Sequence, residues 1–382
     1  MCRSRLRAAL SVALACGLGG CRGGAPDEAS DAAPTALHAS AMPGFPRGPE
    51  RPAPPPGWRI IYRDAVDLAL TADGGLLAAS DLAGTALLYD LTDGHFVWGD
   101  KTELGVTPHV AMAATGARFF AGQQGGDEAP VRVLDVASRT RAAALGEVGR
   151  AVHDVACDRE GGRVAVLAPA SATLTVDDAL VVYEVPPGLA PAGRELFRPP
   201  GPLARGSVAL SPDGAFVAVA STDGRVVAWK VGEGTPVLAW RHASPVRRVV
   251  FGAVGRTLWV SDEREIRHWD LATIAEAGPE AGAAPAVATT AGEALRGLVA
   301  LADGRVVGVG HVAGDGGGLA FYDGASGAEL GRARTGCRCE RHAVSADAKT
   351  AVCLCADATE IRWGPIVIPV AGAKDGGGST KL

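Results

Sequence analysis

Four cysteines close to the C-terminal end of the chain are the residues whose type and spacing could do chemistry. They form two pairs, Cys337 with Cys339 and Cys353 with Cys355, and each pair is spaced i, i+2. In a β-strand this spacing places both side chains of a pair on one face. Such a set could form disulfides, bind zinc as thiolates or do thiol redox chemistry, although C-x-C is a weaker zinc signal than C-x-x-C. The spacing alone does not decide between the three.

Common catalytic and ligand-binding motifs are absent from the sequence. It contains no G-x-S-x-G elbow, no H-E-x-x-H pair and no P-loop. The eight histidines show no metal-ligand spacing. The glycines of 308–318 lead towards a strand, so the helix N-terminus that binds anions is missing. We therefore predict no catalytic residue, no metal and no cofactor, and the net charge of −5 argues against a nucleic-acid partner.

The N-terminal segment has the features of an export signal. Residues 1–20 combine a basic start with an apolar stretch that is too short to span a bilayer. The segment leads into Leu18-Gly19-Gly20-Cys21, which resembles the lipobox of bacterial lipoproteins. This resemblance implies lipidation of Cys21, for example with palmitate, and attachment to a membrane of the cell envelope. Arg22 stands where inner-membrane lipoproteins of enterobacteria have Asp, which favours the outer membrane; an ordinary secreted protein cleaved near Ala25 is the alternative.

The segments that flank the folded part differ from it in composition. Residues 21–57 are rich in Ala, Pro and Gly and nearly lack bulky apolar side chains, so they cannot bury enough surface to fold. Residues 371–382 contain a run of three glycines and are predicted to be a flexible tail. The sequence thus predicts a signal peptide at 1–20, a lipidated linker at 21–57, one folded domain at 58–370 and a tail.

The folded part repeats one hairpin, which is clearest in Leu210–Lys230. There Ser211-Pro212-Asp213-Gly214 forms a tight turn, and Phe216–Ala220 and Val226–Trp229 form two strands. One hairpin cannot bury its own apolar faces. The turn recurs at residues 72–74, 114–116, 159–161, 212–214, 253–255, 302–304 and 346–348, a period of about 40–45 residues that is typical of a propeller blade. We predict an all-β fold, a seven-bladed β-propeller of four-stranded antiparallel blades.

The units resemble the repeats of WD40 propellers, most clearly in Ser211–Lys230 and His268-Trp269-Asp270. The resemblance implies that one set of aspartates is structural rather than catalytic, namely Asp90, Asp135, Asp270 and Asp323. The ends of the ring are also expected to be joined, because Trp58–Arg63 resembles the outer strand before the fifth unit, Val237–Arg241. Trp58–Arg63 is expected to pair with the last blade as its outer strand. Ile366–Val370 competes for that place, although flanking and internal prolines make it a poor strand.

The repeat places the four cysteines in the last blade. The first pair falls on the inner strand and the second pair on the next strand, so Cys339 lies opposite Cys353 or Cys355 to within one residue of register. An exported chain meets an oxidising compartment, which favours disulfides. A Cys₄ zinc site and buried thiols remain alternatives. Cys157 occupies an inward-facing apolar position and is predicted to be a buried small hydrophobe.

Loops that depart from the repeat are the best pointer to function, because loops on a rigid scaffold carry variable chemistry. In WD40-like geometry the loops after the second strand and those between blades emerge on one face, around the mouth of the central channel. Long departures occur at 122–130, 169–179 and 308–318. The candidate binding residues of this face are Gln123, Gln124, Asp127, Glu128, Asp177, Asp178, His311 and Asp315.

These features predict a membrane-anchored, non-enzymatic scaffold that binds a protein or peptide partner in the cell envelope. A propeller enzyme, either a lactonase-like hydrolase or a quinoprotein-like oxidoreductase, is one alternative. Its one support is His153, which the repeat places on an inner strand near the channel. A Cys-based redox module in the last blade is the other alternative.

Replacement of Cys21 by serine tests the membrane anchor. A serine removes the thiol that the acyl chain needs, and stable anchoring depends on such hydrophobic chains. We expect the Cys21→Ser variant to move from the membrane fraction to the soluble fraction of lysed cells. The matched control, Cys157→Ser, is expected to stay in the membrane fraction. A Cys21→Ser protein that still sediments with membranes would contradict the lipoprotein interpretation.

Overall fold

The computed structural model describes residues 56–366 except 63, 102–105, 125–130, 147–150, 171–176, 187–192, 202, 243, 263–264, 272–273, 275–286, 291–294, 302–304, 311–317, 325, 327 and 357–359. The predicted signal peptide, almost all of the predicted linker with Cys21, and the tail at 371–382 lie outside the described residues. The described residues belong to one compact unit, Glu50–Leu382. Regular structure in them is β except for helical backbone at Leu271 and Ile274. None of the described helical backbone is long and apolar enough to cross a membrane.

The strands of the described residues form seven antiparallel sheets, the blades of a propeller. Within each blade the strands are given from the channel outwards. Blade one contains β2 (Ala65–Leu70), β3 (Leu76–Asp81), β4 (Thr85–Asp90) and β5 (His95–Lys101). Blade two contains β6 (Val106–Met112), β7 (Arg118–Gln124), β8 (Val131–Asp135) and β9 (Thr140–Leu145). Blade three contains β10 (Asp154–Cys157), β11 (Arg163–Pro169), β12 (Asp177–Glu184) and β13 (Arg194–Phe197), with a short β14 (Leu203–Ala204) paired to β12.

The remaining blades follow the same plan. Blade four contains β15 (Gly206–Leu210), β16 (Phe216–Ser221), β17 (Arg225–Lys230) and β18 (Pro236–Arg241). Blade five contains β19 (Arg248–Phe251), β20 (Thr257–Ser261), β21 (Glu265–Asp270) and β22 (Val287–Thr290). Blade six contains β23 (Leu295–Ala300), β24 (Arg305–Gly310), β25 (Gly318–Asp323) and β26 (Glu329–Arg334). Blade seven combines β27 (Cys339–Val344), β28 (Thr350–Cys355) and β29 (Glu360–Pro365) with β1 (Arg59–Tyr62). The predicted fold class is confirmed.

Hydrogen bonds from short side chains shape the turn between the first two strands of a blade. In blade four, Ser211 Oγ accepts the N–H of Phe216 at 2.9 Å and donates to Asp213 at 2.5 Å. Gly214 has a φ of 68°, which glycine adopts without a Cβ clash. Thr71 in blade one and Ser345 in blade seven make the same bonds. The recurring turn of the sequence is therefore a local structural motif.

Three of the four aspartates assigned a structural role, Asp90, Asp135 and Asp323, lie in the outer turns. Asp90, Asp135 and Asp323 each accept the backbone N–H of a residue two or three positions later, at 2.8, 2.8 and 2.7 Å. Each also accepts the hydroxyl of the same residue, Thr92, Ser138 or Ser326. These carboxylates close the turn between the third and fourth strands, and this use agrees with the structural interpretation.

Apolar side chains fill the spaces between neighbouring blades. Seven buried clusters occur among the described residues, and each draws its members from two adjacent blades. Between blades four and five, for example, Ala218 and Leu238 pack with Leu258 and Trp269. Burial of apolar surface is the main favourable term in folding, so each blade is stabilised by both of its neighbours.

The strand β1 joins the two ends of the ring. It pairs with β29 in antiparallel register, with Arg59 opposite Trp363, which confirms the predicted outer strand of the last blade. Trp58, just before β1, is buried against blade seven, and a Cβ on Gly364 would lie 2.5 Å from its ring. The competing segment Ile366–Val370 begins with a buried Ile366, and its other residues lie outside the described residues.

Truncation of Trp58 tests how much this closure contributes to stability. The side chain is 7% exposed, and removal of a buried tryptophan costs about 3–5 kcal/mol. We expect Trp58→Ala to lower the free energy of unfolding in urea by that amount. Leu82→Ala, at a 63% exposed position, should change it by about 0.5 kcal/mol or less. Equal effects of the two substitutions would show that Trp58 does not hold the ring closed.

Candidate functional site

A cavity of about 320 Å³ lies inside the ring, and residues from all seven inner strands line it. Most inner-strand residues there are apolar, but five lining positions carry charges: Asp67 on β2, Asp154 on β10, Arg248 on β19, and Glu340 and Arg341 on β27. Volumes of this size are typical of small ligand sites. The charged residues of the cavity therefore make it the candidate functional site.

Asp67 is buried and links three blades. Its carboxylate accepts the N–H of Leu68 at 2.9 Å and the N–H of Val110, in blade two, at 3.2 Å. Arg341 Nη1, from blade seven, lies 3.1 Å from its Oδ1. Burial raises the pKa of Asp67, but Arg341, His109 and the Val110 N–H outweigh this effect and hold the pKa below its usual value. Asp67 is thus kept ionised.

Asp154 has the same role on the other side of the cavity. Its carboxylate accepts the N–H of Val155 at 3.1 Å and that of Val208, in blade four, at 3.0 Å. Arg248 Nη1 lies 3.5 Å from its Oδ2. Burial raises the pKa of Asp154 above its usual value, and the opposing effects of His109, Arg341 and the Val208 N–H do not compensate. Asp154 is the carboxyl of the cavity that holds a proton to higher pH.

His109, from β6, lies between the two acids. Its Nδ1 is 3.7 Å from Asp67 Oδ2 and 4.0 Å from Asp154 Oδ1. Both separations exceed the length of a hydrogen bond, and among the described residues this buried nitrogen has no hydrogen-bond partner. The residue is 8% exposed. A buried nitrogen of this kind calls for a water or a ligand atom beside it.

The described residues accept hydrogen bonds from only some of the guanidinium donors of Arg248 and Arg341. Arg248 Nη1 reaches Asp154 and, at 3.4 Å, Ser207 Oγ, and Arg341 Nη1 reaches Asp67. Their Nε and Nη2 groups make no hydrogen bond to any described residue. Both side chains keep about a quarter of their surface exposed. A guanidinium offers five donors in a fork that matches a carboxylate, so the cavity can bind an acidic group.

The candidate residues of the predicted binding face differ in burial and in the contacts they make. Gln124 is partly buried, and its Nε2 donates to the carbonyl of Val152 at 3.4 Å. Asp177 is partly buried at the start of β12. Gln123 and Asp178 are each 1% exposed, so they have almost no surface for contact with a ligand in this structure. The remaining candidates, Asp127, Glu128, His311 and Asp315, lie outside the described residues.

His153 does not line the cavity; the next residue, Asp154, does. His153 Nδ1 instead lies 2.8 Å from Asp178 Oδ1 and 2.9 Å from its Oδ2, inside blade three. His153 was expected on an inner strand near the channel; it immediately precedes the inner strand β10, and Asp154 takes the place at the cavity. Successive side chains of a strand point to opposite sides, so an error of one position exchanges the two faces.

Sequence reasoning missed the charged residues of the cavity, although a signal for them existed. Two of them stand out in otherwise apolar inner strands, Asp67 in Ala65–Leu70 and Arg248 in Arg248–Phe251. A charged residue on a strand that neighbours surround on all sides requires a partner or a ligand. Alignment of the seven inner strands would have located these charged positions.

The cysteines of blade seven come together as predicted. Cys337 is joined to Cys355 and Cys339 to Cys353, with Cα atoms 5.6 Å apart in both pairs. In the strand register Cys339 lies directly opposite Cys355. Cys157 is half-buried against the cluster between blades two and three, and it also reaches a second cavity towards the other end of the channel. Burial raises the pKa of its thiol, so Cys157 is an unreactive, mainly structural residue.

Comparison with known proteins establishes the fold. No protein-family model and no curated protein matches the sequence. Among solved structures, a chain in the crystal structure of a mitotic checkpoint complex is similar, with a TM-score of 0.63. The match covers 87% of this chain and 99% of that chain at 15% sequence identity. At this identity the similarity shows a WD40-type β-propeller fold.

Asparagine substitutions of the two acids should respond to pH in opposite ways. The pKa of Asp67 is lowered, so its ionised form contributes stability that is lost as pH falls. The pKa of Asp154 is raised, so its ionisation opposes folding as pH rises. In urea unfolding between about pH 3 and pH 7, we expect the stability deficit of Asp67→Asn to grow with pH and that of Asp154→Asn to shrink. Parallel pH profiles of the two variants would contradict this assignment.

Proposed function

We propose that the protein is a membrane-anchored, non-enzymatic propeller scaffold that binds a protein or peptide partner in the cell envelope. The observation that carries this proposal is the pair of partly used guanidinium groups, Arg248 and Arg341, in a cavity that opens among the inner strands. The lipobox-like segment ending at Cys21 supports the membrane anchor. The WD40-type fold supports the role of a rigid scaffold.

The size of the cavity limits what enters it. A volume of about 320 Å³ accepts one or two side chains or a chain end, but not a folded domain. The partner therefore inserts a short segment, and the surrounding face supplies the rest of the contact. The Nε and Nη2 donors of Arg248 and Arg341, which no described residue accepts, suit a carboxylate, so we propose that the inserted segment carries an acidic side chain or a C-terminal carboxylate.

This contact lies on the face of the long loops. Asp154 and Arg248 are the first residues of their inner strands. Gln124 ends the second strand of blade two, and the carbonyl of Gln123 accepts the N–H of Val152, just before β10. The loops after the second strands and the starts of the inner strands therefore share one end of the propeller. A partner on this face reaches the loops and the cavity together.

A propeller enzyme is the second candidate, and His109 is the observation that favours it. An imidazole between a low-pKa and a high-pKa carboxyl group resembles an acid–base arrangement. The described donors close enough to share a cation are elsewhere, in the cysteine cluster and in His242, Asp262 and Glu265. If the protein is an enzyme of this kind, the His109→Gln substitution should abolish hydrolysis of a model lactone. Crosslinking to a partner should persist in the same variant.

Site-specific photo-crosslinking in intact cells tests the scaffold hypothesis. A photoreactive residue is placed at Leu82, between the second and third strands of blade one, or at Val254, between the first two strands of blade five. Both are strongly exposed apolar positions, 63% and 77%, at opposite ends of the propeller. We expect a discrete crosslinked partner from position 82 and none from position 254.

The arginines provide the specific control. Arg341→Gln combined with Arg248→Gln should reduce the crosslink from position 82 by about tenfold or more, because a buried carboxylate would lose its charged partners. Circular dichroism checks that the double variant is folded. A folded double variant that crosslinks like the wild type, or an equal crosslink from position 254, would contradict the proposed binding face.

A further inference from the structure

The four cysteines of blade seven form one sulfur cluster rather than two separate bridges. Cys337 Sγ lies 3.7 Å from Cys353 Sγ, which belongs to the other disulfide. The sulfurs of Cys337, Cys353 and Cys355 all lie within 4.8 Å of one another. Cys339 is bonded to Cys353 and so belongs to the same group. All four side chains therefore point into a single volume.

This volume matches the dimensions of a zinc–thiolate tetrahedron. With Zn–S bonds of about 2.3 Å, two sulfurs of a regular tetrahedron are about 3.8 Å apart. The 3.7 Å between Cys337 and Cys353 is already such an edge. The Cα atoms of each bonded pair are 5.6 Å apart. After reduction, the other edges can therefore open through side-chain rotation while the strands stay paired.

The surroundings are those of a closed structural site. The four cysteines are between 0% and 5% exposed, and Trp58, Leu319 and Phe321 belong to the same apolar cluster. The cluster lies between blades six and seven. Three of its sulfurs form a ligand group that contains only cysteines, and such soft ligands select zinc over hard cations.

Burial also separates this site from redox catalysis. A thiolate that attacks an external disulfide must be accessible, and these sulfurs are not. The four cysteines can form disulfides or bind a metal, and both forms stabilise the same interface between blades six and seven. This site lies between blades six and seven rather than in the charged cavity, and metal binding there does not require a partner.

We propose that Cys337, Cys339, Cys353 and Cys355 bind one Zn²⁺ as four thiolates when the chain is reduced, so that disulfides and metal are alternative ways to fasten blade seven. Two molecules of a dithiol reductant convert the two disulfides to four thiols and become two disulfides themselves. Zn²⁺ then replaces the four thiol protons, which leave to solvent. The metal-bound cluster carries a net charge of −2.

Metal analysis of the full-length protein tests this proposal. The protein is reduced with dithiothreitol, incubated with ZnCl₂, desalted without oxygen and analysed for zinc by mass spectrometry. We expect about one zinc per chain in the reduced protein and none in the oxidised protein. Replacement of zinc by Co²⁺ should produce thiolate charge-transfer absorption, which a site formed by histidine or carboxylate lacks.

Two variants identify the ligands. Cys157→Ser, the matched control, should keep the zinc, because Cys157 lies in another cluster. Cys339→Ser leaves the three sulfurs that already converge and should weaken zinc binding at least tenfold while circular dichroism still shows a folded chain. A reduced, folded wild type without zinc, a reduced chain that stays unfolded with zinc, or full zinc binding by Cys339→Ser would overturn the proposal.

Discussion

Burial of apolar faces between neighbouring blades is the interaction on which the whole structure depends. Each four-stranded sheet has two apolar faces, and each described cluster is shared by two blades. A blade at an open end would leave one such face in water. The pairing of β1 with β29 removes this problem, because the first strand of the chain completes the last blade. The ring is therefore stable as a unit rather than blade by blade.

Closure of the ring also creates the chemistry of its centre. The inner strands present a backbone edge to the channel, and buried N–H groups on such an edge need acceptors. Asp67 and Asp154 supply them to Val110 and Val208 of the next blades. Both acids are consequently part of the architecture, and their charge then holds Arg341 and Arg248 in place. The remaining donors of the arginines are what the centre can offer to a partner.

The sequence was sufficient for the parts of the fold that local chemistry determines. The Ser-x-Asp-Gly turn around Ser211 predicted the blades and their number, and the similarity of Trp58–Arg63 to an outer strand made it one of two candidates for the ring closure. The centre was harder to predict, because it depends on side-chain direction. A shift of one residue exchanged His153 for Asp154, and the bulge between Cys339 and Arg341 changes which residues of β27 share a face. Burial of Gln123 likewise depends on packing within the folded ring rather than on its place beside a long loop.

The same bulge links the sulfur cluster between blades six and seven to the charged cavity at the centre of the ring. Cys339, in the sulfur cluster, and Arg341, in the cavity, are two residues apart on β27, and Cys339 Sγ lies 3.4 Å from the carbonyl of Arg341. A regular strand would point both side chains the same way, whereas the register shift lets one enter the space between blades and the other the channel. Any bond that fixes Cys339 therefore also fixes the backbone that presents the Arg341 guanidinium. The fastening of blade seven and the geometry of the charged cavity are thus two consequences of how one strand is held.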